Sequence, residues 1–312
     1  MKIITISKKK LKYFSKYKLN SKISNTEGIK YRVEGVCLNL EDKNFIVKKF
    51  GEDIYTGLYK KTDFKNKNIA EMNPTTSKLY TIATLADYKE QIGIEEICIP
   101  QVLVEIEEYE MISYFLIPEI ENSENLGIIL KDTKISSEEK INYLYQAGKI
   151  LDRILGLDLD IKINIGDLRE YNFIVDQAKK VHIVDTDSFY LHIGYLPESY
   201  YLPSMCSAFR EQPKKYRNKI NDNTDIWCYI SMIFNTLLDN KIYILEKEDY
   251  FNYLKYLKYL GFKEDILLCF KKIFSEEENK NPYQYLDQIP LDKLEETNNR
   301  SYKKYKRAKN LF

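Results

Sequence analysis

Apolar and polar positions alternate through the first third of the chain, while later segments repeat at a period near 3.6. YRVEGVCLNL from Tyr31, the polar EDKN and FIVKKF ending at Phe50 read as a β-hairpin. Strand alternation sends one of Lys48 and Lys49 inward and leaves open which. After the polar stretch 62–74, Thr75, Thr76 or Ser77 can cap a helix. Its apolar positions Leu79, Ile82, Ala83 and Leu85 keep helical spacing to about Gln91 and Gly93. Residues 99–106, the acidic turn EEYE and 111–117 form a second hairpin, stopped by Pro118.

Beyond ENSENLG the period turns helical. SSEEKINYLYQAGKILDRILGL places Ile141, Leu144, Ala147, Ile150, Leu151 and Ile154 on one face, with Ser136 or Ser137 as cap. A β interruption follows, INIGDL, NFIVD, the turn QAKK and VHIVD, and then an irregular stretch runs to about Asp222. Helical runs return at 225–238, 247–260, 263–274 and 281–288. Residues 1–24 are basic without a sustained apolar period, and read as a loosely held arm or a first strand. The closing SYKKYKRAKNLF reads as a helical extension or a mobile tail. The expected class is α+β, with a basic N-terminal arm at 1–27, a strand-rich part at 28–118, a helical part at 119–295 and a basic tail at 296–312.

Length and composition narrow the function classes. A chain of 312 residues predicts two domains or one bilobal unit, and 44% apolar with 30% charged residues is globular composition. Forty-eight basic residues against forty-seven acidic ones leave a net charge of +1, so no bulk field draws the molecule onto nucleic acid or an anionic membrane. The basic tail is the one stretch suited to a phosphate-rich partner. Two histidines, His182 and His192, argue against zinc and His-based catalysis. Cys37, Cys98, Cys206, Cys228 and Cys269 include no CxxC pair, which argues against a disulfide framework and for a reducing, cytoplasmic setting. No apolar stretch follows the basic N-terminus as a secretory signal requires, and the longest apolar run, 226–234, is broken by Ser231 and falls short of the ~20 residues of a membrane span.

The chemistry-bearing stretch is Ile165-Gly-Asp-Leu-Arg-Glu-Tyr-Asn172, followed after a hairpin by Val184-Asp-Thr-Asp-Ser188. Any single Asp or Asn here can be a turn cap. Together, Asp167, Arg169, Asn172 and Asp185 are the residue types that phosphoryl transfer needs. Oxygens hold Mg²⁺, a cation meets the phosphates, and an acid orients the attacking hydroxyl.

These motifs resemble the catalytic loop H-R-D-L-x-x-x-N and the metal motif D-F-G of the protein-kinase-like superfamily, closest to a bacterial and phage branch carrying I-G-D-L and D-T-D-S. Asp167 to Asn172 is five residues and Asn172 to Asp185 thirteen, as in that family. Lys48 stands where the family has V-A-I-K, and Asp225-Ile-Trp227 resembles its D-x-W, with a structural role. The resemblance covers about residues 28–290 and implies a bilobal protein-kinase-like fold, with a strand-rich N-lobe, a helical C-lobe and an ATP cleft. It implies ATP and Mg²⁺ as cofactors and a protein Ser/Thr hydroxyl as acceptor. By it, Asp167 accepts the hydroxyl proton, Arg169 neutralises the γ-phosphate, Asn172 and Asp185 ligate Mg²⁺, Lys48 holds the α and β phosphates, and Gly35 is what remains of the glycine-rich loop. Asp187 is the other candidate for the metal acid. It occupies the glycine position of D-F-G, where a positive φ is expected.

The departures carry two further readings. Ile165-Gly166 replace H-R, Pro213 is followed by Lys214 where A-P-E is expected, and Asn281 replaces that motif's arginine partner. No glutamate lies in the middle of the 76–91 helix to pair with Lys48, which leaves Asp87 or Glu90 near its end. A degraded glycine loop and a missing helix glutamate suit a pseudokinase acting as a binding or scaffold module. The Gly-Asp-Leu wording is shared with small-molecule kinases of the aminoglycoside or choline type, although those keep a histidine where this chain has Ile165.

Overall fold

The computed structural model describes residues 1–16, 31–55, 74–192, 222–237, 247–274, 281–297 and 299–309. Cys206, Pro213, Lys214 and most of the irregular stretch before Asp222 lie outside the described residues. The fold is α+β and divides into two compact units, one of residues 1–123, 159–161 and 184–201, the other of 124–158, 162–183 and 202–312. Among the described residues no helix is long and apolar enough to cross a membrane.

The first unit is built on a six-stranded sheet of β1 (Lys2–Ile6), β2 (Ser15–Lys16), β3 (Tyr31–Glu34), β4 (Asn44–Tyr55), β5 (Val102–Ile106) and β6 (Met111–Pro118). The strand order is β1-β5-β6-β4-β3-β2. Both hairpins read from the alternating pattern are present as antiparallel pairs, β3 with β4 and β5 with β6. Residues 35–38 leave the strand for a single 3₁₀ turn that ends at Asn39 in the left-handed region. Residues 2–6 are the first strand rather than an arm. β1 lies parallel to β5 from Lys2 opposite Val102 to Ile6 opposite Ile106.

Period-two alternation gives the sheet two buried faces. Val33, Phe45, Val47, Val104 and Leu116 pack on one side with Ile6. Phe50, Leu103, Phe115 and Ile117 pack on the other against Leu79 and Ile82 of helix α1 (Pro74–Asp87). Each such buried side chain contributes roughly 1.5–3 kcal/mol. The same alternation settles the lysines: Lys48 shares the α1 face with Phe50 and is 13% exposed, whereas Lys49 is exposed. A further helical turn, Lys89–Ile92, stops at Gly93, whose φ of 55° is a left-handed helix end.

The second unit centres on α2 (Ser137–Leu155). Ser136 Oγ accepts from the Glu139 amide at 3.1 Å, and Glu138 and Glu139 place negative charge against the positive end of the helix. Its buried face carries the predicted Ile141, Leu144, Ala147, Ile150, Leu151 and Ile154. At Gly148 the packing is too close for any other residue. A Cβ would sit 2.3 Å from Tyr229 Oη and 2.4 Å from Tyr283 Cβ. Tyr229, on α3 (Asp222–Leu237), donates to the Leu144 carbonyl at 2.7 Å. Asn281 Nδ2 donates to the Gly148 carbonyl at 2.9 Å and its Oδ1 accepts from the Tyr283 amide, so this side chain ties α2 to the following turn.

Helices α4 (Lys247–Tyr259) and α5 (Glu264–Phe274) follow. Residues Pro282–Gln288 form a 3₁₀ segment instead of the expected α-helix. The basic tail is a helical extension over the described residues, α6 (Asn299–Ala308). Its Tyr302 and Tyr305 pack against Tyr253 and Tyr256 of α4.

Candidate functional site

In the second unit, strands β7 (Glu124–Asn125), β9 (Phe173–Val175) and β10 (Val181–Ile183) form a small antiparallel sheet, and β8 (Lys162–Asn164) leads into Ile165-Gly166-Asp167. Gly166 turns the chain with φ 71°, a conformation that costs most other residues about 1–2 kcal/mol. The Asp167 amide donates to the Ile165 carbonyl at 2.8 Å. Asp225, in the first turn of α3, holds this turn from below. Its Oδ2 accepts from the Ile165 amide at 2.8 Å and from Asn164 Nδ2 at 3.1 Å, and its Oδ1 from the Gly166 amide at 2.8 Å. Asp225 is fully buried, and burial pushes its carboxyl up to about 6 against the opposing effect of those donors.

The structure brings Asp167, Arg169 and Asn172 together. Asn172 Nδ2 donates to the Asp167 carbonyl at 2.8 Å and to its Oδ2 at 3.2 Å. Arg169 Nε lies 3.5 Å from the same Oδ2, an ion-pair distance. A single 3₁₀ turn at Glu170–Asn172 folds the amide back over the acid. Asn125 Nδ2 donates to the Tyr171 carbonyl at 2.7 Å, and the Tyr171 ring packs so closely on Gly127 that a Cβ there would meet it at 2.5 Å. The nitrogen of the Asn172 amide is committed to Asp167, which leaves its Oδ1 as the donor for a cation. His182 is buried, with Nε2 2.8 Å from Asp176 Oδ2, and is a structural residue of the β9–β10 hairpin.

In the first unit, Lys48 pairs with two acids. Its Nζ contacts Asp185 Oδ1 and lies 2.5 Å from Asp187 Oδ1. Asp187 Oδ2 is 2.7 Å from Lys78 Nζ, on α1. Burial would strip the Lys48 proton, but Asp185 and Asp187 outweigh it and raise Lys48 above the ordinary lysine value. Burial likewise disfavours an ionised Asp187, and Lys48 followed by Lys78 hold it well below the usual carboxylate range. Val184 packs against the α1 face of the sheet, Thr186 Oγ1 donates to the Cys98 carbonyl at 2.9 Å, and Ser188 Oγ donates to the Asp185 carbonyl at 2.7 Å. The segment is thus tied down on both sides of the acids before β11 (Tyr190–His192).

Two expectations need correction, and one residue is added. The positive φ falls on Asp185 (66°), not on Asp187, because the 3₁₀ turn begins at Thr186 and the residue before it makes the reversal. Neither Asp87 nor Glu90 pairs with Lys48. Asp87 contacts the Met1 amino group at 3.2 Å and Glu90 is exposed. Lys78 was missed altogether, although its sequence position gives a signal. It precedes Ile82 by four residues and Leu85 by seven, and so interrupts the apolar stripe of α1 with a charge.

Gly35 is explained by packing. Its amide donates to the Lys43 carbonyl at 2.8 Å, and a Cβ would meet the Glu41 carbonyl oxygen at 2.3 Å. Its N–H is therefore already engaged within the turn.

Among the described residues, no group of three or more His, Cys, Asp or Glu side chains is placed to hold a metal. Mg²⁺ bound with phosphates needs only one or two protein oxygens. Asp185, its side chain 29% exposed, engages Lys48 through Oδ1 and keeps Oδ2 for a cation. Asp185 in the first unit and Asn172 in the second each carry an oxygen of the hard kind that Mg²⁺ prefers. No protein-family model matches the chain, and no curated protein matches it.

Proposed function

We propose that the protein is an ATP- and Mg²⁺-dependent phosphotransferase of bilobal, protein-kinase-like architecture that transfers the γ-phosphate to a protein Ser/Thr hydroxyl. The observation that carries this reading is the Lys48–Asp185 pair. A strand lysine and the first acid of V-D-T-D-S, distant in sequence, contact each other, and the kinase resemblance assigns those two positions to phosphate and metal. The second support is the hydrogen-bonded loop of Asp167, Arg169 and Asn172 above Asp225.

Each side chain has a stated task in this chemistry. Lys48 holds phosphate oxygens. Asp185 and Asn172 offer oxygens to Mg²⁺, which when bound neutralises phosphate charge. Asp167, kept in place by Asn172, orients the acceptor hydroxyl and takes its proton, and Arg169 balances the charge on the transferring group. Phosphate transfer from γ-labelled ATP to a protein and peptide panel tests this. Transfer that depends on Mg²⁺ and vanishes in Asp167→Asn and Asp185→Asn is expected. No transfer to any protein, peptide or small-molecule acceptor by the wild type would overturn it.

One observation favours the scaffold reading: both acids of V-D-T-D-S are clasped by lysines. Thermal shift with ATP and Mg²⁺ separates a nucleotide-blind scaffold from a nucleotide-binding protein, and the transfer assay separates a nucleotide-binding scaffold from an enzyme. A nucleotide-blind protein shows no change.

A further inference from the structure

Lys78 has no part in the chemistry above, yet it is placed like Lys48. One carboxylate, Asp187, gives one oxygen to each: Oδ1 lies 2.5 Å from Lys48 and Oδ2 2.7 Å from Lys78. Both ammonium groups also stand over the same aromatic ring, that of Phe115, at 5.8 and 5.9 Å from its centroid. Exposure is graded across this set. The Asp187 side chain is 3% exposed, Lys48 13% and Lys78 25%, so the carboxylate lies beneath the two cations that reach outward.

Stability is a weak reason for such an arrangement. A buried ion-pair network is often no better than apolar packing, because desolvating its charges costs about what their attraction returns. Donor counting suggests another use. An ammonium group has three N–H donors. Lys48 spends two on Asp187 and Asp185, and Lys78 one on Asp187. If Asp185 turns to a cation, Lys48 regains a donor. The remaining set of two lysines and Asp187 then carries one net positive charge, with two donors left on each ammonium. That is an anion-binding pair held at fixed separation.

We propose that Lys78 is a second phosphate-contacting cation and that Asp187 is the positioning residue that holds it beside Lys48, so that both ammonium groups take the oligophosphate of a nucleotide. This rests on the nucleotide-dependent reading above for its ligand, though not for its geometry. It replaces a helix acid opposite Lys48 with a helix base, both served by one buried aspartate.

Calorimetric titration of wild type, Lys78→Met and Lys78→Arg with Mg²⁺-ATP, inorganic tripolyphosphate and adenosine tests it. Loss of one charge-assisted contact predicts a roughly ten- to hundredfold weaker affinity of Lys78→Met for ATP and tripolyphosphate. Adenosine affinity should not move, and Lys78→Arg should retain most of the binding. Equal affinity of Lys78→Met and wild type for both phosphates overturns the proposal, as does an equal loss for adenosine, which marks a structural role. Should Lys78→Met not fold, the wild type itself serves. An acyl phosphate of ATP acylates lysines beside its phosphates, and mass spectrometry is expected to find the label on Lys48 and Lys78. A label absent from Lys78 overturns the proposal. Lys78-dependent tripolyphosphate binding without any phosphate transfer leaves this site standing and removes the phosphotransferase. Transfer with unchanged Lys78→Met affinity does the reverse.

Discussion

Asp187 in the first unit and Asp225 in the second are both almost wholly removed from solvent, at 4% and 0% exposure, and each belongs to or supports one of the two motifs on which the kinase resemblance rests. Their partners differ in kind. Asp187 meets two ammonium groups and is held ionised, well below the usual carboxylate range. Asp225 meets two backbone amides and a side-chain amide, no cation among them, and burial pushes it up to about 6. Equal burial thus gives opposite shifts, and what decides is whether a full opposing charge lies within reach. One carboxylate organises charge. The other organises backbone.

Breaking the first arrangement should have the largest effect. Asp187→Asn leaves Lys78 without its carboxylate beside Lys48, and removal of one partner from a buried pair costs about 3–5 kcal/mol. Denaturant unfolding followed by hydrogen exchange at first-unit amides such as Val47 and Phe115 reads it, and a loss below about 1 kcal/mol would mean that the network is slack. Asp225→Asn is expected to cost less, about 1–3 kcal/mol, because its NH₂ group faces one of the two backbone N–H groups and leaves it unsatisfied. Exchange at Ile165 and Gly166 reports on it directly.

The pH dependence sharpens the contrast by sign. The folded-state value of Asp187 is depressed, so its contribution is present above the unfolded carboxyl value near 4 and is lost as pH falls below that. The folded-state value of Asp225 is raised. Its contribution is full below about 4 and is lost as pH climbs to about 6. Stability measured by exchange across pH 3–7 should therefore fall toward acid in the first unit. In the second it should fall between about pH 4 and 6 as pH rises, and Asp225→Asn should flatten that segment. The smallest effect concerns Asp222, whose charge adds to the upward push on Asp225. Asp222→Asn should lower the Asp225 titration by less than about one pH unit, seen by carboxyl NMR.

What was legible in the sequence follows from the range of the forces. Alternation across Phe45 to Phe50 placed the hairpin and narrowed the inward lysine to two, Ser136 or Ser137 marked the start of α2, and the apolar face of that helix was read residue by residue. Those are local signals. The loop of Asp167, Arg169 and Asn172 was legible because its members are neighbours in the chain. The parallel pairing of β1 with β5 was not, since nothing in KIITI names a partner strand so far along the chain. Lys78 and Asp187 meet only after the sheet and α1 have packed, and the motif pattern points to an acid, not a base, as the helix partner of Lys48. The left-handed residue was misassigned by one short turn, because Asp185 and Asp187 tolerate that backbone equally well.

The backbone of Asp185, at φ 66° and ψ 29°, has a consequence for how this protein is dissected and how it can vary. Alanine there loses a carboxylate and gains a crowded β-carbon, a penalty of about 1–2 kcal/mol that has nothing to do with ligands. Asparagine removes the charge alone, and glycine removes it while easing the chain. Drift at this site is therefore channelled toward Asn and Gly, the two replacements that spare the backbone.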